Sequence, residues 1–142
     1  MNIFNIERSF KQKRERNWEK TWWFIDLHDT ICKADYRRKG KRTFHRGAKE
    51  VLQFLSKRKD IVLVLFSCSH RDSIKDALTW LERNKIHFDH VNENPDIGSD
   101  KLCNFSKKPY FNVMLDDKAG FEGKTDWVLV KAELVNEFGS IK

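Results

Sequence analysis

Four polar positions stand beside apolar runs in ways that suit chemistry. Asp26 stands near the end of TWWFIDL, Ser67 follows IVLVLF, and the pair Asp116 and Asp117 ends KPYFNVMLDD, which Lys108 opens. A carboxylate pair near a lone carboxylate is what a magnesium ion needs, because that ion takes hard oxygen ligands and keeps several waters. Such a cation neutralises phosphoryl oxygens, and an aspartate can attack phosphorus, dividing one hard displacement into two through an aspartyl phosphate. A hydroxyl and an ammonium then hold the remaining oxygens, and Ser67 and Lys108 are available for those tasks. Taken singly, each of these residues reads as an ordinary solvated or structural group. The chemistry depends on their meeting.

The elements that must bring them together follow from hydrophobic patterning. Residues 21–27 form an almost unbroken apolar and aromatic run, read as a strand buried on both faces. Ala48, Val51, Leu52 and Leu55 recur at helical spacing over residues 48–58, which predicts a crossover helix. Residues 61–66 predict a second buried strand, and Ile74, Ala77, Leu78 and Leu81 place a second helix over residues 72–84. A short strand is expected at residues 88–91, and residues 92–107 are polar, turn-rich and irregular. A third strong strand is expected at 110–115 and a further one at 127–130, before a short helical or frayed tail. The alternation predicts an open α/β sheet, mostly parallel and Rossmann-like, between two outer layers. Ligands bind such sheets beyond the carboxyl ends of their strands, where the polar positions fall.

Size and composition bound the rest. A chain of 142 residues, 39% hydrophobic with eleven Phe and five Trp, builds one core. The expectation is a single domain over residues 19–142, preceded by a basic extension over 1–18 that either docks on the domain or stays free. Cys32, Cys68 and Cys103 are far apart and odd in number, so neither a disulfide framework nor a zinc pattern is legible. With no leader-like N-terminus and no membrane-length apolar run, a cytoplasmic, membrane-free protein is expected. His87 and His90 lack a third ligand and read as ordinary residues, and at least one of Trp22 and Trp23 is expected in the core.

In their order, these motifs resemble those of the haloacid dehalogenase superfamily of phosphohydrolases, over roughly residues 22–130. DLHDT is similar to the DxDx[TV] signature of that family, IVLVLFS to its second motif, and KPYFNVMLDD to its third and fourth combined. The resemblance implies a nucleophile at Asp26, a signature threonine at Thr30 that is counted toward substrate binding, and a phosphate-binding Ser67 and Lys108. It implies magnesium held by Asp26, the backbone carbonyl of His28, Asp116 and Asp117, with the direct ligand of the acidic pair left open. One position departs: His28 replaces the second acid, which in the family protonates the leaving oxygen, and Asp29 replaces the usual glycine. Either His28 or Asp29 can then serve as the general acid and base. A third outcome is weakened turnover, leaving a phosphate- or nucleic-acid-binding module. A receiver domain, with similar residue types, places its acidic pair first rather than last.

The intervals between motifs leave no room for a separate cap, so the resemblance implies an open-faced member. Residues 1–47 hold 13 Lys and Arg against 6 Asp and Glu, and the remainder holds 15 of each. That excess falls in two clusters, one of Lys11, Lys13, Arg14 and Arg16, the other running from Arg37 to Arg46. Arg37, Arg38, Arg42 and Arg46 follow the nucleophile strand closely and are candidates to grip the phosphates of a nucleotide or nucleic-acid end. The plainer reading is a solvated basic face.

Overall fold

The computed structural model describes residues 2–33, 42–97 and 108–142. Its elements are α1 (Ile6–Glu15), β1 (Thr21–Ile25), α2 (Ala48–Lys57), β2 (Ile61–Leu65), α3 (Arg71–Arg83), β3 (His90–Val91), β4 (Val113–Leu115) and α4 (Trp127–Phe138). The four strands form one sheet in the order β3-β2-β1-β4, and every neighbouring pair is parallel. The α/β class and the Rossmann-like parallel sheet are thus those expected from the apolar runs. Among the described residues no element stands apart from the sheet as a cap.

Period-two alternation divides the sheet residues between two faces. Trp23, Ile25, Leu63, Leu65, Val113 and Leu115 join Val51, Leu52 and Leu55 of α2, Ala77 and Leu81 of α3, and Trp127, Val130 and Leu134 of α4 in one buried cluster. On the opposite face the Phe24 ring meets Phe66 at 5.4 Å and Phe111 at 5.6 Å between centroids. Trp22 meets Tyr110 at 5.9 Å, so chain preceding β4 closes this side.

The edge strands are shorter than their apolar runs for a common reason. Where a main-chain carbonyl would accept the next ladder bond, an Asn or Asp side chain does so instead. Trp22 N donates to Asn112 Oδ1, Leu63 N to Asp89 Oδ2, and Ser67 N to Asn92 Oδ1. Each side chain satisfies the strand amide, so pairing ends without leaving a donor bare. Tyr110, Phe111 and Asn112 therefore precede β4 instead of extending it.

The strand expected at residues 127–130 is a correction: this segment opens α4. Trp127, Val130 and Leu134 are buried while Val128, Leu129 and Val135 are exposed, a spacing of three and four that only a helix produces. The run WVLV is too short to distinguish the two periods. The tie is broken upstream, where Thr125 N and Asp126 N both donate to Glu122 O and start the helical turn.

The N-terminal segment docks. Ile6 and Phe10 are buried on one side of α1, and the Phe10 ring meets Trp23 and Phe138 at 6.2 and 5.3 Å. Burial on this scale contributes about 2 kcal/mol per side chain. Two charges of the first basic cluster are tied to the body of the protein, Lys13 to Asp60 at 3.9 Å and Arg14 to Glu137.

Candidate active site

Register sets the site. Ile25 pairs with Leu65 on one side and Leu115 on the other, so the residues that follow emerge from the sheet at one level. Asp26 N donates to Leu115 O at 2.9 Å, and Phe66 N donates to Ile25 O at 2.9 Å. The lone carboxylate and the acidic pair are thereby brought together: one carboxylate oxygen each from Asp26, Asp116 and Asp117 lie within 4.8 Å of one another.

Thr30 links two of the three, Asp26 and Asp117. Its hydroxyl donates to Asp26 Oδ2 at 3.2 Å and accepts from Asp117 N at 3.1 Å, so it braces the carboxylate against the turn after β4. The loop leaving Asp26 is folded back by Ile31 N and Cys32 N, both donating to Leu27 O, and by Asp29 N donating to Cys32 O at 2.7 Å. Asp29 sits at φ +62°, the left-handed region in which Asp is tolerated better than most residues. That conformation accounts for a position where glycine would be at ease. The indole Nε1 of buried Trp127 donates to Thr30 O at 2.8 Å and fixes the loop from below.

The electrostatics suit a cation. Partial burial pushes the Asp26 carboxyl up to about 7, helped by its hydrogen bond with Asp117 and the Asp116 charge. Burial also raises Asp116, although the Lys118 amide opposes the shift by donating to Asp116 Oδ1 at 2.9 Å. Asp26 and Asp116, half-buried and crowded with a third carboxylate, resist losing their protons together. A divalent cation removes that resistance, and an all-oxygen donor set is the kind magnesium takes.

Ser67 lies two residues past β2. Its hydroxyl donates to Ser69 Oγ at 3.0 Å and accepts from Ser69 N at 3.2 Å. Asn92 holds its backbone from both sides, accepting from Ser67 N and donating to Ser67 O, each at 2.8 Å. Asn92 also occupies the left-handed region at φ +57°. Asn92→Ala therefore removes two hydrogen bonds and strains the backbone, with an expected loss of about 2 kcal/mol. Urea unfolding of the variant checks this, and a change under about 0.5 kcal/mol discards the brace.

The other expected site residues are placed less centrally. His28 is half-buried in the loop between Asp26 and Thr30. Lys108 is exposed, with its ammonium 5.9 Å from the Phe111 ring centroid. Arg42 reaches α3, donating to Asp76 Oδ2 at 3.1 Å and to Ser73 O at 3.5 Å. Arg46 is exposed, and Arg37 and Arg38 lie outside the described residues. His87 and His90 pair with carboxylates, His87 with Glu82 and His90 with Asp96. Trp23 is fully buried.

Two contributors carry no local sequence signal. His45 is buried, its Nε2 has no hydrogen-bond partner among the described residues, and burial lowers its pKa, favouring the neutral ring. Gly123 packs against it and against the Asp29 carbonyl so tightly that a Cβ there would stand 2.5 Å from Asp29 O and 2.6 Å from His45 Cδ2. Residues 29, 45 and 123 meet only in the folded chain.

No protein-family model and no curated protein matches the sequence. A solved structure from Bacteroides thetaiotaomicron, described as a conserved protein coded by locus, is similar with a TM-score of 0.62 and 24% identity, over 83% of this chain and 91% of that one. At that identity the likeness establishes a shared fold.

Proposed function

We propose that this protein is a magnesium-dependent phosphomonoester hydrolase of the haloacid dehalogenase kind, forming an aspartyl phosphate on Asp26. The observation that carries the reading is the approach of Asp26, Asp116 and Asp117 within 4.8 Å at the carboxyl ends of adjacent parallel strands. Asp26, Asp116, Asp117 and the His28 carbonyl are the groups that would hold magnesium, which when bound supplies positive charge to the phosphoryl oxygens.

The remaining steps belong to the chain. Asp26 attacks phosphorus; the ester P–O bond breaks and the leaving oxygen takes a proton from His28 or Asp29. Water then attacks the phosphorus of the aspartyl phosphate, giving its proton to the same group and freeing the Asp26 carboxylate and inorganic phosphate. Ser67 and Lys108 bind phosphoryl oxygens, and Thr30 keeps Asp26 aimed. Nucleotides or nucleic-acid ends are the substrate class favoured by the basic excess in residues 1–47. His28 in place of an acid supports a second reading, a nucleic-acid-binding module with weak turnover.

The test pairs turnover with stability. Hydrolysis of a generic aryl phosphate and of terminally phosphorylated oligonucleotides is expected with magnesium and not with EDTA; oligonucleotide binding without turnover selects the second reading. Asp26 has an ordinary unfolded value near 3.8 and a folded value of about 7. Between these the folded protein holds a proton that the unfolded chain has released, so metal-free stability falls as pH rises through that window. Magnesium needs the ionised carboxylates, so its stabilisation is expected to be greater at pH 8 than at pH 5. At a hundredfold excess over Kd the melting temperature should rise by roughly 5 °C or more. Absence of a magnesium-dependent rise at pH 8 rejects the metal site.

A further inference from the structure

Among the described residues, His45 Nε2 is the buried side-chain nitrogen or oxygen left without a hydrogen-bond partner. The residue is only 4% exposed, and an unpaired polar atom at that depth weakens a fold. Burial lowers the pKa of the ring; the Asp29 charge opposes this, Lys33 and Lys124 reinforce it, and Glu122 opposes it. A neutral ring carries one N–H and one acceptor nitrogen. An orphan of this kind is explained if the working protein has a second arrangement in which it is paired.

Asp29 O borders the same small space. A Cβ on Gly123 would stand 3.0 Å from His45 Nε2 and 2.5 Å from Asp29 O, so both atoms crowd one hydrogen of Gly123. The backbone behind the ring is held on both sides: His45 N donates to Ile31 O at 2.9 Å, and His45 O accepts from Ala48 N at 3.1 Å. Next to it Phe44 stacks on Trp80, with ring centroids 4.2 Å apart. Gly123 lies in the turn that leads to Trp127, whose indole holds Thr30 O. The ring thus sits between two anchored segments, beneath the loop that carries His28. Asp29, in that loop, keeps a left-handed φ of +62° that few side chains adopt, and a hydrogen bond to its carbonyl would fix it there.

We propose that His45 is a positioning residue for the hydrolysis argued above: with substrate and cation in place, its Nε2–H donates to Asp29 O and locks the His28–Thr30 loop in register with Asp26. The inference rests on that reading and adds to it a residue that touches neither phosphate nor cation. Repulsion among Asp26, Asp116 and Asp117 pushes the loop outward, and neutralising it lets the loop settle onto the ring. A hydrogen bond made only in the loaded arrangement favours that arrangement by its own differential strength.

The test separates this bond from plain packing. His45→Phe keeps a flat buried ring and removes both nitrogens. It should melt no lower than the parent, because an unpaired polar atom is gone, and should lower kcat about tenfold. His45→Gln, whose amide nitrogen reaches about as far as Nε2, should recover most of kcat. In the parent, NMR of isotopically labelled histidine should show the His45 Nε2 resonance shifting on addition of magnesium and beryllofluoride, a mimic of the aspartyl phosphate. Melts of the same samples show whether the site has been loaded. A melting temperature that rises while Nε2 stays unmoved overturns the inference and spares the hydrolase reading. A melting temperature that does not rise means that nothing is loaded, and the hydrolase reading falls together with the inference. Unchanged kcat in folded His45→Phe also overturns it. So does a loss of kcat that accompanies a lower melting temperature and is not recovered by His45→Gln, which leaves His45 as packing alone.

Discussion

Asp26→Asn is expected to lower phosphate-ester turnover by about 10³-fold or more while leaving the protein folded. The amide keeps the size of the carboxylate and can still accept from Thr30, whose hydroxyl lies 3.2 Å from Asp26 Oδ2. It cannot attack phosphorus, and loss of a nucleophile removes the covalent route rather than weakening it. The same change removes one of three crowded negative charges. Above pH 7 the metal-free variant should therefore melt at a higher temperature than the parent, and its stability should vary less between pH 4 and 7. Steady-state kinetics with an aryl phosphate and paired melts with and without EDTA read both effects. Full turnover by Asp26→Asn sinks the nucleophile assignment; a metal-free variant less stable than the parent at pH 8 sinks the account of the carboxylate cluster.

How much of this was legible in the sequence depended on range. The three buried runs at residues 21–27, 61–66 and 110–115 marked three of the four strands, β1, β2 and the edge strand β4, because burial writes itself into consecutive residues. Their polar ends followed at once, since register carries Asp26 and Asp116 to the same level. What failed was local ambiguity. WVLV at 127–130 fits a strand or a helix, and only its buried partners, spaced by three and four, decide. Strand ends were overextended because Asp89, Asn92 and Asn112 terminate pairing with side chains, a choice that a polar residue after an apolar run does not announce. Arg42 sat in a basic run that suggested ligand binding, yet its guanidinium reaches Asp76 on α3. Charge density alone does not say which charges are already paired. The His45 and Gly123 contacts were invisible because they join segments 78 positions apart.

That last contact supports the second large effect: Gly123→Ala should destabilise the fold by about 1–3 kcal/mol and reduce turnover by about 10²-fold. The reason is space, since a Cβ would stand 2.5 Å from Asp29 O and 2.6 Å from His45 Cδ2. Neither neighbour is the free end of a flexible side chain. The first is backbone in a loop already closed by Asp29 N donating to Cys32 O, and the second belongs to a ring only 4% exposed. Relief must therefore come from moving the loop. That loop carries His28 and Asp29, the two candidates for proton transfer, and Thr30, which aims Asp26. A displacement near 1 Å there harms positioning far more than it harms burial. Gly139→Ala supplies the contrast: its φ of +81° strains any side chain, but nothing lies within 4 Å of its Cβ. It should cost about 1 kcal/mol of stability and leave kcat unchanged. Equal kcat in Gly123→Ala and the parent, with unchanged melting, would show that the loop yields freely, and the tight packing beneath Asp29 would then have no part in aiming the carboxylate.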